Sequence, residues 1–138
     1  MAIVILDSSV TIAWFMPDED TANSRAVLNQ VIEDGAIVPI HWQIEVGNAL
    51  LVAMRGRRIS PEKRHDALAQ LIRLTITTDH QTADEAWGIS LDLADRFRLT
   101  LYDACYLELA QRRALPLATL DKDLRKAAEA LDIPLLGI

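Results

Sequence analysis

The chain has a single cysteine, few aromatic side chains, fewer basic than acidic residues and no apolar run long enough to cross a bilayer. Each shortage narrows what it can be. A lone Cys105 excludes an internal disulfide and a multi-cysteine zinc site, and it fits a reducing cytosol. Aromatics make up 5% of the 138 residues, so the core must be built mainly from aliphatic side chains and alanine, which suits closely packed helices. With 14 Lys and Arg against 20 Asp and Glu, the net charge is −6. That balance argues against a protein that coats nucleic acid by bulk electrostatics, and it leaves a nuclease open. The opening Met1-Ala2-Ile3-Val4-Ile5-Leu6 has no basic leader and is too short for a signal peptide or a spanning helix. Cytoplasm is therefore the expected location. There is no Gly-Lys-Ser/Thr phosphate loop and no Gly-x-Gly-x-x-Gly fingerprint, which points away from nucleotide-fuelled and redox chemistry. Linkers, repeats and low-complexity segments are also missing, so residues 1–138 are expected to form one domain with a core of its own.

What is present is an alternation of strands and helices. Residues 3–7 read as a buried strand, followed by a short helix that Pro17 ends. Asp20 or Thr21 caps a helix running to Asp34, and Gly35 stops it. Residues 36–39 are a second strand, and a helix spans about 42–55. Ser60-Pro61 opens the next helix, and Ile76-Thr77-Thr78 is a third strand. Residues 82–98 are predicted as one helix with Ala83, Ala86, Trp87, Leu91, Ala94 and Phe97 on its apolar stripe. A helix from near Tyr102, a strand at 117–119, a helix at about 122–131 and a strand at 134–136 complete the chain. This alternation predicts an α/β fold with a mostly parallel sheet covered on both faces, and ligands bind outside the carboxyl ends of such strands.

Four acids stand where solvated charge is not expected. Asp7 ends the run Ile3-Val4-Ile5-Leu6, and Asp121 follows the apolar segment 116–120. Glu45 shares a helix face with Ala49, Val52 and Ala53, and Asp103 with Tyr106, Leu107 and Ala110. A buried carboxylate needs positive charge beside it, and no Lys or Arg shares these faces. A bound divalent cation is the economical explanation, with magnesium or manganese preferred to zinc for an oxygen donor set. Such an ion acidifies its water and neutralises phosphate charge during in-line attack. Ser9 and Thr119 each lie two residues from one of these acids, where a hydroxyl could hold a metal water or a ligand carboxylate.

Plainer roles exist for each group. Asp7 and Asp121 precede helices, where aspartate is a favoured cap, and Asp103 in a first turn complements the helix dipole. Asp123 is either an outer ligand or a first-turn acid. Asp18, Glu19 and Asp20 read as solvated, and His41, His65 and His80 show no metal-ligand spacing. Arg55, Arg57, Arg58, Lys63 and Arg64 cluster around Gly56 and could hold phosphates, or simply be a solvated helix connection.

Asp7-Ser8-Ser9, Glu45, Tyr102-Asp103-Ala104 and Thr119-Leu120-Asp121-Lys122-Asp123-Leu124, in that order over nearly the whole chain, resemble the motifs of the PIN-domain family. The nearest resemblance is to VapC-type toxins, the ribonuclease halves of toxin–antitoxin pairs. It implies a three-layer α/β/α sandwich, Mg2+- or Mn2+-dependent hydrolysis of RNA, homodimers and inhibition by a VapB-type antitoxin, with DNA engaged only through that antitoxin. Asp7, Glu45, Asp103 and Asp121 map onto the family's acids, Ser9 onto its small polar position and Asp123 onto an occasional additional acid. The residues then divide into ligands led by Asp7 and Asp103, with Glu45 and Asp121 completing the cluster or Glu45 serving as base. The alternative is a non-catalytic PIN-like binding module acting through protein partners. A phosphatase of the haloacid dehalogenase type would need a second aspartate where Ser9 stands. Adjacent Trp14, Phe15 and Met16 on a short helix are expected to leave one ring in an exposed apolar groove for an antitoxin helix.

Overall fold

The computed structural model describes residues 3–138, so Met1 and Ala2 of the opening segment lie outside the described chain. Five strands form one wholly parallel sheet among the described residues: β1 (Val4–Leu6), β2 (Ala36–Pro39), β3 (Ile76–Asp79), β4 (Leu117–Ala118) and β5 (Leu135–Leu136). Their spatial order is β3-β2-β1-β4-β5. Ile5 pairs with Ile37 on one side and Leu117 on the other, so β1 is the central strand. Its Val4, Ile5 and Leu6 are fully buried, as a strand covered on both faces requires.

Between β1 and β3 run α1 (Ser8–Ala13), α2 (Ala22–Asp34), α3 (Trp42–Arg55) and α4 (Pro61–Arg73). Between β3 and β5 run α5 (Thr82–Glu85), α6 (Ile89–Phe97), α7 (Leu101–Arg113) and α8 (Lys122–Ala130). Right-handed crossovers place the first set on one face and the second on the other, because the chain moves across the sheet in opposite directions in its two halves. The packing agrees: α1 meets α2 and α3, and α3 meets α4, whereas α7 meets α6 and α8 and lies over β1, β2 and β4. The expected α/β/α sandwich is thus the one observed.

Local signals set the helix ends. Thr21 and Ser24 exchange side-chain bonds with each other's backbone N–H at 3.0 and 3.1 Å, a capping box that starts α2. Gly35 ends α2 at φ 84°, and a Cβ there would lie 2.8 Å from the Thr75 carbonyl oxygen, so only glycine fits. Ser60 caps α4 through the Lys63 N–H, with Pro61 at the first helical position.

Two expectations fail. The helix predicted over residues 82–98 is broken: α5 stops at Glu85, and Gly88 (φ −113°, ψ −108°) restarts the chain as α6. The break rotates the second half, so Ser90, Leu93 and Ala94 are buried while Trp87 is 91% exposed and Leu91 is also exposed. The exposed ring expected at Trp14-Phe15-Met16 is absent as well, although the three residues do line a hollow of about 360 Å³ with Asp20, Arg25 and Lys63. All three are buried in the core. The Trp14 Nε1–H donates to the Ser24 carbonyl at 2.8 Å, and its ring meets Phe15 edge-on. Residues 14–16 leave the helix after Ala13, and this turn lets neighbouring rings point inward together.

Candidate functional site

The strand order reverses between β1 and β4: from β1 the chain first moves toward β3, and it later returns to the other side. At such a switch point the connections leave in opposite directions and open a crevice beyond the strand carboxyl ends. Asp7 directly follows β1, and Asp121 closely follows β4. Asp103, in the first turn of α7, faces the same crevice. The resulting cleft, about 290 Å³, is lined by Asp7, Asp103, Asp121, Glu19, Ser8, Ser9, Ile12 and Ala49. No lysine or arginine is among them. A larger hollow of about 420 Å³ between α3, α4 and β3 has no titratable side chain in its lining, so chemistry rather than size singles out the smaller one.

Asp7 is only 3% exposed and makes no helix-cap hydrogen bond, which removes its plainer role. Its Oδ2 accepts from Ser9 Oγ at 2.6 Å and from Thr119 Oγ1 at 2.8 Å. Those two hydroxyls leave Oδ1 open. Thr119 is itself held: Arg125 donates to the carbonyls of Thr119 and Leu136, which clamps the ends of β4 and β5. Ser9 Oγ also accepts from the Leu120 N–H at 2.9 Å, so one hydroxyl ties the β1 and β4 connections together. Asp121 does serve as a cap, its Oδ1 accepting from the Leu124 N–H at 2.8 Å. Capping and lining the cleft are compatible, since a carboxylate has a second oxygen.

Glu45 lies in the first turn of α3, with its side chain 28% exposed. The uniformly apolar face expected around it is only half real: Ala53 is buried, and Val52 is exposed. What fixes Glu45 is Tyr106, fully buried on α7, whose hydroxyl donates to Glu45 Oε1 at 2.5 Å. That bond joins the two helical layers over the sheet edge. His41, one turn before Glu45, packs edge-on against Tyr102 and Tyr106, and its Nε2 lies 3.0 Å from the Tyr102 carbonyl oxygen.

The acids are near enough to feel one another's charge. Burial pushes the Asp7 carboxyl above its ordinary range, against the opposing Ser9 and Thr119 hydrogen bonds and with help from the charges of Glu45 and Asp121. Burial also raises Asp103, to about 6, with the negative charges of Asp7, Asp121 and Glu45 adding to it. Burial, followed by the Asp7 and Glu45 charges, drives the Tyr106 hydroxyl far up, so it is a hydrogen-bond donor at any ordinary pH.

Several residues fall outside the expected pattern. Asp123 is exposed and lines a separate hollow with Arg96, Arg98 and Lys126. The run Asp18-Glu19-Asp20 is not simply solvated. Arg58 donates to Asp18 at 2.9 Å and to Glu19 at 2.7 Å, Arg25 pairs with Asp20, and Glu19 reaches the cleft. Periodicity places Tyr106 on the Asp103 face but shows neither its bond to Glu45 nor the position of Glu19, since both depend on contacts distant in sequence.

Among the described residues, no group of three or more acidic, histidine or cysteine side chains is placed to hold a metal ion together. Magnesium requires none: it sheds water reluctantly and is commonly held by one or two carboxylates. The cleft offers carboxylate and hydroxyl oxygens and no nitrogen or sulfur side chain, a donor set for a hydrated hard cation and not for zinc.

A family model described as the PIN domain matches residues 4–130. No curated protein sequence matches the chain. Among solved structures, FitAcB from Neisseria gonorrhoeae superposes with a TM-score of 0.65 at 17% identity, over 96% of each chain. A toxin–antitoxin complex from Klebsiella pneumoniae gives 0.58 at 18% identity, covering 88% of this chain and 89% of that one. VapC20 of Mycobacterium tuberculosis, described as a sarcin-ricin loop cleaving toxin, gives 0.60 at 14% identity, over 90% and 94%. At these identities the likeness to solved structures is one of fold.

Proposed function

The chain belongs to the PIN-domain family, and on that premise we propose that it is a magnesium- or manganese-dependent ribonuclease, the toxin of a VapBC-type pair restrained by a VapB-type antitoxin. The observation that carries this reading is the cleft at the switch point, which Asp7, Asp103 and Asp121 line together without a cation among the lining side chains. Carboxylates so placed raise one another's proton affinity, which is an unfavourable arrangement unless positive charge enters. The toxin–antitoxin complex and the sarcin-ricin loop cleaving toxin among the structures of like fold support the same reading.

A divalent ion bound there would supply an acidified water and neutralise charge on the phosphate and the leaving oxygen. The side chains do the rest. Asp7, fixed by Ser9 and Thr119, offers Oδ1 in one orientation, and Asp103 lines the same cleft from α7. Asp121 contributes its uncapped oxygen. Glu45 is not among the cleft-lining side chains, but its charge reaches Asp7 and Asp103; with Oε1 held by Tyr106, it is assigned as the base that accepts the proton released when water attacks phosphorus and the P–O bond breaks. Asp7 being 3% exposed, its charge acts in a medium where electrostatic interactions are strong.

Residues 1–138 acting as one PIN-like domain, a homodimer and an intracellular site of action belong to the same proposal. Among the described residues, no helix is long and apolar enough to cross a membrane. A dimer would cover exposed apolar side chains such as Ile44 and Ile72, which stand 75% and 83% exposed. The test is cleavage of RNA by protein freed of antitoxin: cutting with magnesium or manganese, arrest by EDTA, and loss in Asp7→Asn with an unchanged circular dichroism spectrum. Equal cutting by wild type and folded Asp7→Asn would refute the assignment.

A further inference from the structure

One aromatic side chain beside the cleft has no partner in the core. Tyr102 immediately precedes Asp103 in the first turn of α7 and is 64% exposed, whereas Tyr106 one turn later is fully buried. Apolar exposure alone would mean little. What distinguishes Tyr102 is how it is held. The His41 ring packs edge-on against it, with centroids 5.7 Å apart and planes at 62°. His41 is in turn wedged against Tyr106, 5.2 Å away at 76°, and its Nε2 lies 3.0 Å from the Tyr102 carbonyl oxygen. The same Nε2 is 3.7 Å from Glu45 Oε1, the oxygen that Tyr106 also binds. Tyr102 is therefore an exposed ring braced from behind by the assembly that orients Glu45, and it directly adjoins Asp103.

We propose that Tyr102, braced by His41, is a stacking platform for a nucleobase next to the scissile phosphate of a single-stranded RNA segment. Proteins that read unpaired RNA stack splayed-out bases on aromatic rings, and a ring fixed beforehand loses little entropy when the base arrives. An acidic protein has particular need of such a contact. With net charge −6 it draws little affinity from phosphate neutralisation, so uncharged stacking must hold the strand against the repulsion of the cleft. Arg58, the basic side chain tied to the cleft-lining Glu19, already has Asp18 and Glu19 as partners. The platform acts on positioning and leaves the hydrolytic chemistry to the acids.

This inference rests on the ribonuclease reading, and its failure is distinguishable from the failure of that reading. The probe is a fluorescent oligoribonucleotide that wild type cuts at one bond, made also with an abasic nucleotide on either side of that bond. Tyr102→Ala is expected to raise KM about 5- to 150-fold, the usual range for losing one base–aromatic stack, with a smaller change in kcat. Tyr102→Phe, which keeps the ring, is expected to restore KM to within about threefold of wild type. One abasic substrate should impair wild type as much as Tyr102→Ala impairs the intact substrate, and should cost Tyr102→Ala nothing further. If Tyr102→Ala, folded by circular dichroism, keeps wild-type KM, or remains as sensitive to the abasic site as wild type, the platform is wrong. Loss of antitoxin binding in Tyr102→Ala with unchanged RNA kinetics would reassign the ring to a protein partner and equally overturn it. Failure of wild type to cut any RNA would instead overturn the ribonuclease reading itself.

Discussion

Asp103→Asn in the metal-free protein should raise stability at neutral pH, although it replaces a residue of the proposed centre. Asp103 is raised from 3.8 to about 6 by burial and by the charges of Asp7, Asp121 and Glu45. Because the folded-state value lies above the unfolded one, the folded protein holds more protons between pH 3.8 and about 6. Stability then falls as pH rises through that window and stays lower above it. Taken at face value the shift corresponds to roughly 3 kcal/mol. Asp103 is partly exposed, and water screens its interactions, so a realistic figure is about 1 to 1.5 kcal/mol. For a chain of this length that is about 3 to 5 °C in melting temperature. Differential scanning fluorimetry in EDTA at pH 7.5 should show Asp103→Asn melting above wild type by that margin, and the gap should shrink to less than half by pH 4. Magnesium should raise the wild-type melt and narrow the gap at pH 7.5, since it binds the native site that the variant has weakened. A variant that melts at or below wild type at pH 7.5, or a gap independent of pH, would refute the electrostatic reasoning.

Other consequences follow from individual contacts. Tyr106→Phe removes the hydroxyl that orients Glu45 and should cost about 1 kcal/mol of stability in chemical denaturation while lowering kcat more than KM. Arg112→Ala strips the Arg112 contacts from Glu108 and Asp79, which are 2% and 3% exposed, and should destabilise the fold by about 3 kcal/mol in urea unfolding. Trp14→Ala should act as a core deletion costing about 3 to 5 kcal/mol, seen as early melting with or without any partner present.

The sequence revealed most of what local rules control. Thr21, Gly35, Ser60 and Pro61 act through their own backbone, so the helix ends they set could be read directly. The acids at the ends of β1 and β4 were legible because a charge that closes an apolar strand is unusual, and Asp103 because its helix face is otherwise buried. Illegible features depend on distant contacts. Tyr106 reads as one more core aromatic until α7 meets α3, and Glu19 as a loop acid until Arg58 folds back onto it. The burial of both Trp14 and Phe15 depends on a turn after Ala13 that the apolar pattern does not encode. The break at Gly88 was hidden because a single glycine in a helical pattern is compatible with a continuous helix.

The central claim is that the acids around the switch-point cleft form a divalent-cation nuclease centre. Its most direct test is the rate of RNA cleavage as a function of manganese concentration for wild type, Asp103→Asn and Asp123→Asn, with each protein's fold verified by circular dichroism. Wild type is expected to rise from background in EDTA to a saturating rate. Asp103→Asn should stay at background throughout, and Asp123→Asn should follow wild type, because Asp123 lines a different hollow. Cleavage by wild type that is unchanged in EDTA, or by Asp103→Asn that matches wild type across the titration, would contradict it.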